Sequence, residues 1–306
     1  MIARLENLRK HPAVFGHLTG LTVAAFDELA AEAAPAVEAA HRKKLDRPDR
    51  RRAVGGGGDF DLSTADQLLL TVVWLRQYPT NEVLGFLFGV SDSTASRART
   101  RCLPVLEQSG KDTMRMPDPG AARRKRLPAL LADTPGLAVV IDSFEQRTHR
   151  PRRRQRAYYS GKKKAHTLKS QVAVDEGSGR FVDVSDSVPG PWADIKLLKK
   201  SRLLRRLPAG VGGIGDLAYV GIADLHPAGL GAAPRRKPRG KDRPPEDRRY
   251  NRAFSRRRIV VEHAIGRLRR FRAVAEVNRH RRPGHAVRVR AIAGLVNRML
   301  DHRNAS

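Results

Sequence analysis

Three carboxylates stand where the pattern of the sequence gives them chemistry to do. Asp142 closes the apolar run "LAVVID", Asp216 follows the glycine-rich run "GVGGIGD", and Glu262 lies in "SRRRIVVEHAIGRLRRF". The first two runs read as strands, and strand ends of an α/β sheet project into the crevice where ligands bind. The third reads as an amphipathic helix, with Ile259, Val260, Ala264, Ile265 and Leu268 at roughly helical spacing, so it can bring a third acid beside the other two. Three converging carboxylates repel one another unless a divalent cation offsets their charge, and all-oxygen ligation suits Mg²⁺ or Mn²⁺. Two such ions about 4 Å apart would activate a water or a 3′-hydroxyl and stabilise the leaving oxygen in phosphodiester displacement. Each acid also has a plainer reading. Asp142 can be a strand-end turn residue, Asp216 an Asx-turn former, and Glu262 an intrahelical partner of Arg258.

The charge around these acids points to a polyanion. The 306 residues include 60 Lys and Arg against 31 Asp and Glu, a net of +29. Residues 1–120 hold 16 basic and 15 acidic residues, while the rest holds 44 and 16 and carries a net of +28. A generally basic composition would not leave the first part neutral. A field this strong and this localised attracts nucleic acid and makes binding salt-sensitive. Glu262 sits amid Arg256, Arg257, Arg258, Arg267, Arg269 and Arg270, and Lys162, Lys163 and Lys164 crowd a turn in "YYSGKKKAHT" where DNA contact or a solvated hairpin tip are the two readings. The single Cys102 excludes an internal disulfide and a multi-cysteine zinc site. No apolar run approaches the ~18 residues of a membrane span, and the first residues lack a signal-peptide core. A cytoplasmic, nucleoid-associated protein with no membrane partner is the expectation.

The elements that must position these residues fall into two parts. Residues 1–120 read as helical. After the charged, glycine-rich connector "HRKKLDRPDRRRAVGGGGDF", Ser63 or Thr64 caps a helix that stops before Pro79. Thr80 starts a short helix over 81–88, and the turn "GVSDS" leads into a longer helix from Thr94 to Leu106, capped by Ser91, Asp92 or Ser93. Short helix, turn and longer helix make a helix-turn-helix pattern over about 60–107, in which Ser93, Arg97 and Arg99 are candidates for DNA contact. Residues 121–136 read as a basic linker. Residues 137–306 read as strand, hairpin (turn "DEGSG"), helix, strand, helix: an α/β unit with a mixed sheet.

From Leu137 to about His280 the sequence resembles the catalytic domain of DDE transposases, in the lineage of the bacterial insertion sequence five family and the eukaryotic Harbinger group. The words that carry the resemblance are "VVIDSFEQR", "YYSGKKKAHTLKSQVAVD", "VSDSVPGPWADIKLL", "GDLAYVG", "PRRKPRG" and "YNRAFSRRRIVVEHAIGRLRRF". Residues 60–107 similarly resemble the helix-turn-helix that precedes this domain in the family. The resemblance implies a ribonuclease H-like fold and a site of two divalent ions, Mg²⁺ or Mn²⁺. It implies cleavage and strand transfer on double-stranded DNA, at transposon inverted-repeat ends and in target DNA, by a homo-oligomer that is at least a dimer on DNA. Carried over residue by residue, the catalytic, metal-holding acids are Asp142, Asp216 and Glu262. A signature of such enzymes, Tyr-x2-Arg-x3-Glu-x6-Lys, is matched by Arg258 and Glu262, with Ser255 and Arg269 in place of its Tyr and Lys. Arg258 and Arg269 are thereby candidates for DNA-end contact. Relatives often carry His-Asp where this chain has Ala193-Asp194, so Asp194 rivals Asp216. The alternatives are a catalytically retired, transposase-derived DNA-binding regulator and a basic RNA-binding protein. The latter is disfavoured by the lack of an aromatic-rich stacking sheet.

Overall fold

The computed structural model describes residues 3–46, 60–120 and 127–305; most of the expected glycine-rich connector and the first part of the expected linker lie outside the described residues. Two compact units result: residues 1–113, 270–275 and 290–306 in one, 114–269 and 276–289 in the other.

The first unit begins with α1 (Leu5–Arg9), α2 (Pro12–Thr19), α3 (Val23–Leu45), α4 (Thr64–Gln77), α5 (Asn81–Phe88) and α6 (Asp92–Asp112). Residues Gln67 through Leu75 of α4 are buried on every side, and α2, α3 and α6 pack around it. A helix apolar all round is a central helix, and the sequence "QLLLTVVWL" allows nothing else. The starts are fixed locally. Thr22, Ser63, Thr80 and Ser91 each accept a hydrogen bond from the backbone N–H three residues on, each worth about 1 kcal/mol. The α4 helix stops where Tyr78 turns left-handed before Pro79. The α6 helix runs on past the expected Leu106 to Asp112, because Leu106, Ser109 and Gly110 are buried there and packing holds the extra turn.

The second unit contains β1 (Ala138–Arg147), α7 (Gln155–Tyr158), β2 (Tyr159–Ser160), β3 (Ala165–Asp175), β4 (Phe181–Val184), β5 (Val188–Pro189), α8 (Asp194–Ser201), β6 (Gly212–Ile214), α9 (Ile222–Leu225), β7 (Gly231–Ala232) and α10 (Pro245–Arg269). The strands run β2-β3-β1-β6-β7, with β4 and β5 also bonded to β3. The β1, β6 and β7 strands are parallel and the remaining pairs antiparallel, so the sheet is mixed, as expected. Val139 and Ile141 join Leu198, Leu203, Leu204, Tyr219 and Ile222 in a buried cluster on one face of β1. Period-two alternation turns Val140 and Asp142 to the other face, where α10 lies. The α10 helix buries Tyr250, Phe254, Arg257, Val261, Ala264, Ile265 and Leu268, a stripe at helical spacing. Ile259, expected on that stripe, is 50% exposed.

One expectation is corrected. Asp142 does not end its strand. The antiparallel partner β3 holds β1 through Arg147, pairing Val139 with Asp175 at one end and Arg147 with Thr167 at the other, whereas β6 stops with Ile214 beside Val140. The compact units also divide the expected stretch 137–306. Residues 270–275, with α11 (Arg272–Ala275), and residues 290–305 of α12 (His285–Ala305) belong to the first unit. The physical reason is a close helix contact. A Cβ on Gly294 would stand 2.2 Å from the Cα of Gly110, so only paired glycines let α12 and α6 approach. Arg290 then meets Glu107 at 3.0 Å and Arg298 donates to Ser109 at 2.8 Å.

Candidate active site

The edge of the sheet where β6 stops and β1 continues gathers the acids. Asp142, with a side chain 23% exposed, accepts a hydrogen bond from the Ser143 N–H at 2.7 Å through Oδ1. Its Oδ2 lies 3.8 Å from Arg258 Nη2 on α10. Asp216 follows β6 and caps a 3₁₀ turn over Leu217–Tyr219, its Oδ1 accepting from the Ala218 N–H at 2.9 Å. The Asx-turn reading of Asp216 is therefore realised, and it leaves the second carboxylate oxygen outside that bond. Asp194 starts α8 and is tied down twice through Oδ1, by Ser143 Oγ at 2.6 Å and by Lys169 Nζ at 2.8 Å. Lys169, in mid-strand on β3, also donates to the Trp192 carbonyl at 2.6 Å and stands 3.9 Å from Glu145 Oε1.

The electrostatics tie these groups together. Burial pushes the Asp142 carboxyl up to about 6; the Ser143 N–H and Arg258 oppose that rise, while Asp216 and Asp194 add to it. Asp142, Asp194 and Asp216 thus form one interacting set. Glu262 is exposed and makes no hydrogen bond or ion pair among the described residues, Arg258 included. It stands one helical turn, about 5.4 Å, beyond Arg258 on the same stripe of α10. Among the described residues no three His, Cys, Asp or Glu side chains are placed to hold a metal ion as they lie.

Sequence reasoning passed over Ser143, Glu145 and Lys169. The signal was present: a lysine inside the strand-forming run "TLKSQVAV" has no place in a buried strand without a carboxylate or other polar partner.

The description "DDE superfamily endonuclease" matches residues 141–297, and "helix-turn-helix of DDE superfamily endonuclease" matches residues 60–112. The chain is also 31% identical over 260 residues to the probable transposase for insertion sequence element IS702 of Microchaete diplosiphon, covering 84% of this chain and 86% of the relative. The chain belongs to the DDE superfamily endonucleases. It is a DDE transposase with an N-terminal helix-turn-helix. No solved structure matches it significantly. Endonuclease domains of this family typically use divalent metals, and a transposase with a helix-turn-helix binds DNA. None of the described helices is long and apolar enough to cross a membrane.

In this transposase the helix-turn-helix is α5, a turn at Gly89–Val90, and α6. On α6, Ala95, Ala98 and Cys102 face inward, which leaves Ser93, Arg97 and Thr100 exposed along one stripe. Arg99 does not share that stripe: its guanidinium stacks 4.3 Å from the Trp74 ring. Arg101 likewise covers Phe60 at 4.3 Å. In the second unit Lys162, Lys163 and Lys164 are exposed in the turn between β2 and β3, and Arg269 is exposed at the end of α10. Arg257, in contrast, is core. It pairs with Glu176 at 2.6 and 2.9 Å and donates to Thr134 Oγ1 and the Pro135 carbonyl, both at 2.7 Å. The arginine-rich helix is therefore not uniformly a DNA surface: Arg257 anchors it, and Arg258 faces Asp142.

Proposed function

We propose that this transposase cleaves DNA at transposon ends and joins them to target DNA at a site of two Mg²⁺ or Mn²⁺ ions, with Asp142, Asp216 and Glu262 as the acids. The observation that carries this reading is the interacting set of Asp142, Asp194 and Asp216 at one sheet edge, with the Asp142 carboxyl raised to about 6. Crowded carboxylates without histidine or cysteine are a donor set for hard divalent cations, which would relieve the repulsion. Such cations, when bound, activate an attacking water or 3′-hydroxyl and stabilise the leaving oxygen. The chain's own residues do the rest. Arg258 offsets part of the charge at Asp142. Ser143 and Lys169 fix Asp194 through one oxygen, leaving the other outside those bonds. Glu262 lies one turn from Arg258, consistent with its role as third acid. Lys162, Lys163, Lys164 and Arg269 hold phosphates, while Ser93 and Arg97 read the end sequence. Water attacks first and the freed 3′-hydroxyl attacks second, with no covalent protein–DNA bond.

The parallel β1-β6-β7 set flanked by antiparallel β3 supports a ribonuclease H-like fold, and the quoted sequence words support the insertion sequence five and Harbinger lineage. Joining two ends to one target calls for at least a dimer on DNA, acting in the cytoplasm on the nucleoid. The domain scheme that follows is a helical DNA-reading part and an α/β catalytic part.

The test is nicking of DNA carrying the element's ends, in Mg²⁺, in Mn²⁺ and in chelator, with Asp142→Asn, Asp216→Asn, Glu262→Gln and Asp194→Asn. Loss of nicking is expected in chelator and in the first three variants. Near-normal activity in any of those three removes that residue from the site. An active Asp216→Asn beside a dead Asp194→Asn would exchange their roles. A chain that binds the ends but never nicks in either metal would be the retired regulator.

A further inference from the structure

Thr94, Ala98 and Arg101 stand at helical spacing on α6, one residue over from the exposed stripe of Ser93, Arg97 and Thr100. Between them and the segment that leads into α4 lies an open cavity of about 110 Å³, bordered also by Phe60, Leu62 and, from the exposed stripe, Arg97. Its floor is firm. Leu62, Gln67 and Ala98 are buried, and Gln67 Nε2 donates to the Leu62 carbonyl at 3.0 Å. The Phe60 ring, 55% exposed, forms a wall. His41 meets that ring edge-on at 5.1 Å, and the Arg101 guanidinium covers it at 4.3 Å. Arg101 also donates to Gln67 Oε1, so its guanidinium is engaged in building the wall. The Thr94 hydroxyl accepts from Ser91 Oγ at 3.0 Å and is engaged in the cap. The lining left to a ligand is therefore largely apolar, beside one exposed cation, Arg97.

We propose that this cavity reads a thymine in the major groove by taking its C5-methyl edge, next to the base pair that Arg97 reads. This rests on the reading of α6 as the helix that recognises the ends. Size limits the occupant. A cavity of about 150 Å³ accepts a whole benzene ring, so an open one of about 110 Å³ accepts a methyl group and the adjoining ring edge. Chemistry narrows it further. Thymine alone presents an apolar group in the major groove, and Ala, Thr and Phe side chains suit that methyl. A phosphate would meet the exposed Asp61 carboxylate in the same lining and be repelled, whereas a methyl edge carries no charge. Arg97 borders both the cavity and the exposed stripe, so the two contacts fall on neighbouring base pairs.

The experiment uses the full chain and the duplex it selects from a random pool, with binding followed by fluorescence anisotropy at fixed salt. Each thymine of that duplex is replaced singly by deoxyuridine, which removes the methyl and leaves every hydrogen-bonding group in place. One buried methyl is worth about 4-fold in affinity. The parent is expected to lose about 4-fold at one thymine, adjacent to the base pair whose preference Arg97→Ala relaxes. Phe60→Ala and Thr94→Ser should each bind the thymine duplex more weakly and lose little more on deoxyuridine replacement. Thr94→Ser keeps the capping hydroxyl, so it decides the matter if Phe60→Ala melts early. A parent indifferent to every replacement overturns the proposal and leaves α6 as the reading helix. So does a methyl effect that persists in full in both variants, or one distant from the pair that Arg97 reads. A parent that selects no sequence from the pool overturns the reading of α6 and the proposal with it.

Discussion

Asp142→Asn should make the metal-free protein more stable at neutral pH, and the size of the effect follows from the site. The Asp142 carboxyl is raised from 3.8 to about 6, by burial first and then by Asp216 and Asp194 against the pull of the Ser143 N–H and Arg258. A folded-state value above the unfolded one means that the fold binds the proton more tightly than the unfolded chain does. Stability is therefore greatest below the unfolded value and falls as pH rises through about 4 to 6, where it levels off. A shift of about two units corresponds to about 3 kcal/mol lost by pH 8. Asparagine mimics the neutral acid in shape and charge, so Asp142→Asn should match the parent near pH 4 and exceed it by up to about 3 kcal/mol at pH 8. Urea unfolding in chelator gives the numbers. Trp192 in the second unit, 38% exposed, serves as reporter in a Trp74→Phe background. Millimolar Mg²⁺ should raise the stability of the parent and not that of the variant. A variant less stable than the parent at pH 8 would refute the reasoning. It would mean that the Arg258 ion pair outweighs burial and the neighbouring acids at this carboxylate.

Three further outcomes follow from the packing of the cations. Arg97→Ala and Thr100→Ala should erode preference for end DNA over random DNA, by roughly 1–3 kcal/mol for each base-edge hydrogen-bonding pair removed, whereas Arg99→Ala should leave preference intact and lower the melting temperature, since Arg99 lies on Trp74. In the same binding series, changing Lys162, Lys163 and Lys164 to Ala should weaken both DNAs together and flatten the salt dependence; loss of end preference there would reverse the division of labour. Glu176→Gln should destabilise the second unit by about 3–5 kcal/mol, because it strands a buried Arg257 charge, while Glu176→Leu with Arg257→Met should recover most of that loss in urea unfolding. An unchanged midpoint in Glu176→Gln would remove Arg257 as the anchor of α10.

What was legible in the sequence was what local chemistry decides. Ser63, Thr80 and Ser91 cap helices with hydrogen bonds that span three residues, so the helix-turn-helix could be read from a window of that size. The hairpin at "DEGSG" is equally local, with the Ser178 N–H bonded to Asp175 at 2.9 Å. What stayed hidden depends on partners far along the chain. Nothing near Gly294 announces Gly110, and nothing near Arg99 announces Trp74. The misplacement of Asp142 has the same cause. An apolar run that reaches an acid looks like a strand that ends there, because the partner that extends it, β3, starts more than twenty residues later.

That error is informative about how the site arises. If β1 ended at Asp142, the acid would sit on a flexible loop. Because β3 holds β1 through Arg147 while β6 stops beside Val140, Asp142 is fixed on a rigid strand yet has an open flank on the β6 side. Asp216 leaves β6 at that flank, and the Asp216–Tyr219 turn fills the first space beyond it. Ser143, on the opposite face of β1, reaches Asp194 at the start of α8. Residues on both faces of a sheet are ordinarily kept apart by the sheet itself. Here the unequal lengths of β1 and β6 remove the intervening strand, and acids from mid-β1, from the end of β6 and from the start of α8 come to share one field. Burial is the largest cause of the rise of the Asp142 carboxyl to about 6, and the charges of Asp216 and Asp194 add to it. A substitution that prolonged β6 past Ile214 would be expected to separate the acids even with all of them present.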